Sequence, residues 1–274
     1  MKKLFGIVLA LSVGTLLAQN TWQAMFPKNN NVAAATTSTT NPYLFPLVGT
    51  GLVDVWRFDA LSGNIISSVK GHTYTVTEAY GGQYSYRAVG PNGIYGITHP
   101  EDNGGHIKIA SQADTDFDIG AGENFTLMMQ FTPNNTNNDG RALIDLGSGG
   151  GNNSGLYVLL TGDFRIAIYL LGAGSTGFSR TDVNTISNGT FYTLRVVFDR
   201  STQYPKYYLK AQGGSETLLT VSGSTNLTTL GAVTITSDPV SFVRNSSNGD
   251  SPWWGQLWQF AYAKGTAYDV TIKP

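Results

Sequence analysis

Ten consecutive residues restrict the fold more than any other part of the chain: Asn124-Phe-Thr-Leu-Met-Met-Gln-Phe-Thr-Pro133. Phe125, Leu127, Met129 and Phe131 fall on one side of an extended backbone, and Thr126, Met128, Gln130 and Thr132 fall on the other. A two-residue period of this kind marks a strand with one face in a core. Pro133, which has no N–H for a ladder, and the Asn-rich run to Asn138 end it. Nearly every later apolar run repeats the design, so the segment predicts the central strand of a sandwich.

Further strand signals begin at Leu52-Val-Asp-Val-Trp-Arg-Phe58 and a turn at Leu61–Asn64. Short runs follow near 73–77, 94–98 and 106–110, divided by Gly81-Gly82, Pro91-Asn-Gly93 and Asn103-Gly-Gly105. Beyond the central strand come 142–146, 156–160, 164–170, 191–198, 206–212, 217–221, 240–244 and 256–263. About a dozen short strands between turn clusters point to an antiparallel sandwich or jelly roll. No helical period is sustained after the first twenty residues. Composition agrees: 33 glycines, 12% aromatic and only 13% charged residues suit an all-β protein and not a disordered one. The net charge of −1, without a long basic run, leaves no electrostatic footprint for nucleic acid. With no cysteine, disulfides, thiolate metal sites and Cys nucleophiles are excluded.

Residues 1–18 read as a signal peptide, with Lys2 and Lys3 before the apolar run Leu4–Leu17 and Ala18 before the cleavage point. The run is too short for a permanent membrane span, and the mature chain is expected to start at Gln19. Export without cysteine fits a bacterial envelope or extracellular protein. Residues 19–50 are a low-complexity linker or an assembly arm. The apolar residues Trp22, Met25, Phe26, Tyr43, Leu44 and Phe45 are anchors that a pure linker would not need.

Four motifs in order resemble the laminin-G-like, concanavalin-A-like jelly-roll family in its bacterial secreted form. They are Gly51-Leu-Val-Asp-Val-Trp-Arg-Phe-Asp59; His106-Ile-Lys-Ile with Asn124–Pro133; Phe191-Tyr-Thr-Leu-Arg-Val-Val-Phe-Asp-Arg-Ser201 with Lys206–Lys210; and Trp254-Gly-Gln-Leu-Trp-Gln-Phe-Ala-Tyr262. Gln130-Phe131 stands where the family's second motif has a Trp-aliphatic pair. The resemblance covers about 51–265 and implies a laminin-G-like domain over 51–274. The family hosts sugar, protein and calcium binding as well as scaffolding, so it implies a fold and no single function.

Catalytic signatures are weak. The four glutamates, Glu78, Glu101, Glu123 and Glu216, form no alternating acidic strand of the kind a glycosidase groove needs. His72, His99 and His106 are isolated, and Tyr207–Lys210 only faintly echoes a lyase strand. For calcium, the resemblance implies a rim site at Gly147–Gly155, where Asn152 and Asn153 supply oxygen but no Asp does. Asp114, Asp116 and Asp118 form a second cation candidate on a loop, and Asn248/Asp250 a third. Gly147–Gly151 lacks the Lys-Ser/Thr and helix of a phosphate loop. The aromatics are the better lead. If Leu257, Phe260 and Tyr262 face the core, as the family pattern implies, Trp258 faces solvent, with Trp253, Trp254 and Asp250 close by in sequence. Flat indoles stack on sugar faces or anchor subunit contacts. The expected protein is a secreted, non-catalytic module binding a glycan or surface protein without an obligatory cofactor. The alternative is a structural subunit of an extracellular filament, matrix or virion appendage, a homo-oligomer assembled through residues 19–50.

Overall fold

Alternating apolar segments build two antiparallel sheets that face each other across one core. The computed structural model describes residue 45 and residues 51–265 apart from 58–60, 63–64, 69–72, 78–87, 90–92, 99–106, 110–114, 135–140, 147–154, 173–174, 235–239 and 243–254. The chain divides into two compact units, Met1–Thr40 and Asn41–Pro274, and all described residues belong to the second. The signal-peptide segment and the arm, Phe45 excepted, therefore lie outside the described residues.

One sheet contains β1 (Leu52–Trp56), β5 (Ala88–Val89), β6 (Tyr95–Thr98), β8 (Phe125–Pro133), β13 (Tyr192–Phe198), β14 (Lys206–Ala211), β15 (Thr217–Leu218) and β18 (Gly255–Lys264). Its order is β15-β14-β13-β8-β18-β6-β5, and β1 pairs with the C-terminal half of β18. The other sheet contains β2 (Leu61–Ser62), β3 (Ile65–Ser67), β4 (Thr73–Thr77), β7 (Ile107–Ile109), β9 (Arg141–Leu146), β10 (Gly155–Leu160), β11 (Ile166–Gly172), β12 (Ser175–Thr181), β16 (Val221–Gly223) and β17 (Val240–Phe242). It runs β16-β12-β11-β10-β9-β17-β7-β4-β3-β2. Among the described residues regular structure is almost wholly strand, and no helix is long and apolar enough to cross a membrane. The fold is an all-β antiparallel sandwich, as the strand spacing predicts.

β8 is the centre of its sheet, paired with β13 on one side and β18 on the other. Phe125, Leu127, Met129 and Phe131 all enter the inter-sheet core, as the alternation requires. They meet Leu194, Val196 and Phe198 of β13 and, from the opposite sheet, Leu156, Val158, Leu160, Ile166, Ile168 and Leu170. Phe125 stacks on Phe198 with centroids 3.9 Å apart. Each such side chain contributes roughly 1.5–3 kcal/mol by leaving water.

β12 is the longest strand that the sequence reading does not contain; β3 and β5 are shorter ones, and Leu61–Ser62, read as part of a turn, pairs with Ile65–Ile66 as strand. Ser175-Thr-Gly-Phe-Ser-Arg-Thr181 has one large apolar residue, and its inward positions are small or polar. Hydrogen bonds take the place of apolar burial there. The buried Ser179 hydroxyl pairs with the Tyr207 hydroxyl at 2.7 Å, and Thr181 Oγ1 accepts the Ile166 N–H at 3.0 Å.

Candidate functional site

The two outer faces of the sandwich differ in what they leave to solvent. On the β8 sheet the decisive local feature is a bulge in β18. Leu257 pairs with Phe131 and Gln259 with Gln130, so Trp258 is the extra residue between them. A bulge shifts the two-residue period by one. Leu257, Phe260 and Tyr262 can then all reach the core, and Trp258, Gln259 and Ala261 lie on the outer side.

The side of the sheet expected for Trp258 is therefore correct, but its exposure is not. The indole is 4% exposed, packed with Ile94 and Phe191, and its Nε1–H donates to Thr132 Oγ1 at 2.9 Å. Gly96 makes room for it: a Cβ there would stand 2.4 Å from the indole Cε3. The solvent-facing contact residue expected at 258 is instead a packed one, because other parts of the chain close over this face. The same holds nearby. Met128, Gln130, Thr193 and Arg195 all point outward and all are buried. Arg195 donates to Glu216 at 2.5 Å and stacks on the Tyr208 ring with 4.0 Å from Cζ to the centroid.

On the outer face of the other sheet three rings stand in one row. Tyr157 of β10 is in register with Tyr169 of β11, and Tyr169 with Phe178 of β12. Their centroids are 6.0 and 4.6 Å apart with planes tilted by 37° and 41°. All three are half-buried, and the exposed Arg180 holds its guanidinium carbon 5.7 Å from the Phe178 centroid. The row crosses three strands, about 10 Å. Sequence reasoning missed it. Tyr157 and Tyr169 occupy the outward positions of two successive alternating strands, which is a usable signal, but the register that aligns them is not visible in the sequence.

Among the described residues the acidic loop gathers no cluster of metal-ligating side chains. Its main-chain oxygens are addressed by the protein's own cations: Lys264 Nζ donates to the Asp118 carbonyl at 2.7 Å. The buried Arg200 donates to the carbonyls of Gly120, Glu123, Leu230 and Gly231 at 3.0–3.3 Å. Tyr262 adds a hydrogen bond to the Phe117 carbonyl at 3.2 Å. Asp116 is exposed, Asp118 is half-buried, and no three metal-ligating side chains cluster among the described residues. A hard cation needs several converging oxygens, and one oxygen of this loop, the Asp118 carbonyl, already accepts from Lys264. Asp114, Asn152, Asn153, Asn248, Asp250, Trp253 and Trp254 lie outside the described residues, as do Glu78, Glu101 and the three histidines.

The described acid–base candidates serve the fold. Glu123 Oε2 accepts the Gly120 N–H at 2.9 Å and Glu216 pairs with Arg195. Tyr207, the residue of the faint lyase echo, is fully buried, and burial pushes its phenol well above the ordinary tyrosine range. A phenol so placed faces the core and holds its proton.

Comparison with known proteins matches no family model and no curated relative. Solved structures do match. The binding domain of botulinum neurotoxin serotype G is 16% identical with a TM-score of 0.51, over 81% of this chain and 49% of that one. A structure concerned with how cell entry of botulinum neurotoxin type C depends on two ganglioside molecules gives 15%, 0.51, 81% and 49%. A carbohydrate-binding module, CBM40, of a Ruminococcus gnavus sialidase bound to sialyllactose gives 14% and 0.39, over 52% of this chain and 76% of that one. This chain thus spans about half the length of the toxin structures it matches. The likeness lies in the β-sandwich fold of binding domains.

Proposed function

We propose that the chain is an exported, non-catalytic binding module of the laminin-G-like kind whose ligand is a glycan, held on the row Tyr157–Tyr169–Phe178 beside Arg180. The row carries the reading: three partly open rings in register offer successive apolar faces for sugar rings, as packed indoles cannot. Arg180 favours an acidic glycan, since a guanidinium meets a carboxylate with charge-assisted hydrogen bonds. The ganglioside interaction of the type C toxin and the sialyllactose complex of the CBM40 module belong to the same ligand class. Fold likeness at such identity carries no ligand by itself, so the reading rests on the rings.

The test is retention on arrays of neutral and sialylated glycans by the chain beginning at Gln19, with and without a chelator. Tyr169→Ala should lower retention at least tenfold, at a cost of about 1 kcal/mol in stability for the lost ring pairs. Retention unchanged in folded Tyr169→Ala would remove the row from the reading. Trp253→Ala and Trp254→Ala, tested alongside, show whether the pair before β18 contributes. A chain that retains no glycan, but forms multimers lost on deleting residues 19–50, would be a structural subunit.

A further inference from the structure

Phe45 shows a second kind of recognition, on the opposite outer face. It is 3% exposed and sits in an apolar cup made by Leu52 and Val55 of β1, Met128 of β8 and Ala261 of β18. Its backbone is read as well as its ring. The Phe45 N–H donates to Gln259 Oε1 at 3.0 Å, and Arg57 Nη2 donates to the Phe45 carbonyl at 2.6 Å. The Gln259 amide is itself held: its Nε2 donates to Gln130 Oε1 at 2.5 Å, so its oxygen is left turned toward Phe45. Gln259 is fully buried and reaches this face only because of the bulge at Trp258.

A buried N–H and C=O need partners, and here both partners are side chains of the sandwich, not a neighbouring strand. Ring, N–H and carbonyl are all that one phenylalanine can present to a binding site. Pro46 adds preorganisation, because a residue before proline is held away from helical backbone. We propose that this face of the eight-stranded sheet is a peptide-binding site specific for phenylalanine, and that its ligand is the chain's own Phe45, held in cis. Five residues, 46–50, tether the ligand to Gly51. So short a tether holds it at an effective concentration in the millimolar range, which fills even a weak site. The site is independent of the glycan reading because it uses none of that row.

The experiment uses the full mature chain carrying Phe45→Ala and a fluorescent peptide Asn41-Pro-Tyr-Leu-Phe-Pro-Leu47, with circular dichroism to confirm the fold. The variant should bind the peptide, and the wild-type chain should bind it at least tenfold more weakly because its site is full. A peptide with alanine in place of the phenylalanine should not bind, and adding Gln259→Leu to the Phe45→Ala chain should abolish binding. If Phe45→Ala does not fold, Phe45→Leu, a smaller plug in the same cup, should give the same order with less contrast. Failure of a folded Phe45 variant to bind, or equal binding by variant and wild type, would overturn the site. A wild-type dimer that Phe45→Ala abolishes would overturn the cis assignment.

Discussion

The sandwich has two outer faces, and their aromatic residues do different work. Behind the eight-stranded sheet, Trp258 and Phe45 are covered to within a few per cent of full burial, and their polar atoms are matched to Thr132, Gln259 and Arg57. On the ten-stranded sheet, Tyr157, Tyr169 and Phe178 lie in register and stay half open. An aromatic residue at an outward position is therefore not by itself a contact residue. What decides is whether the rest of the chain closes over it, which only the tertiary structure shows. The difference makes a division that substitutions can break: those around Trp258 should register in stability, and those on the aromatic row should register in glycan binding.

The inner face sets the scale. Phe131→Ala should cost roughly 3–5 kcal/mol, because a fully buried ring against Tyr192 and Leu257 leaves a cavity that the two sheets cannot close. Chemical denaturation of the folded variant measures it. Trp258→Ala comes next, at about 3 kcal/mol, near the lower end for a buried aromatic, since the residue keeps 4% exposure where Phe131 has none. A variant that melts within about 1 kcal/mol of wild type would show that the outer face is open after all, and would return Trp258 to the set of contact residues.

These two residues also show what the sequence makes legible. The inward set of β8 follows from period alone, since a strand that buries one face must alternate. The outward direction of Trp258 came from the family resemblance that placed Leu257, Phe260 and Tyr262 inward, because the bulge at Trp258 breaks the two-residue period there. Its burial was not, because Ile94 and Phe191, which cover it, are more than sixty residues away. β12 was illegible because Gly177, Ser179 and Thr181 carry its inner side and their partners, Thr225, Tyr207 and the Ile166 N–H, come from three other segments. The aromatic row fell between these cases: its strands were legible at β10 and β11, its register was not. Sequence period reports what one strand does, and a binding face is a property of several.

Gly96→Ala probes the closure from the other side. Its added methyl would lie 2.4 Å from the indole Cε3 and 2.8 Å from the Leu257 carbonyl oxygen. The second neighbour is backbone in the β6–β18 ladder and cannot swing away. Overpacking of this kind costs roughly 1–3 kcal/mol. Combining Gly96→Ala with Trp258→Ala should recover part of that loss, because removing the indole removes one of the two clashes. Strict additivity in the double mutant would show that the methyl and the indole do not meet.

The smallest effect expected behind the first sheet is that of Thr132→Ala. Thr132 neighbours Phe131 in β8 but faces outward and is half-buried, so it adds little apolar area. What it supplies is the acceptor for the Trp258 Nε1–H at 2.9 Å. Removing the hydroxyl leaves the indole N–H without that acceptor beneath a nearly closed surface, which costs about 1 kcal/mol. Thr132→Ser keeps the oxygen and should restore most of the loss, whereas Thr132→Val, similar in shape but without the acceptor, should resemble Thr132→Ala. In the Trp258→Phe background, which has no N–H to satisfy, Thr132→Ala should cost almost nothing. A loss that persists there would place the role of Thr132 in packing, and the outer face would then be closed by shape alone, with no hydrogen bond holding the indole in place.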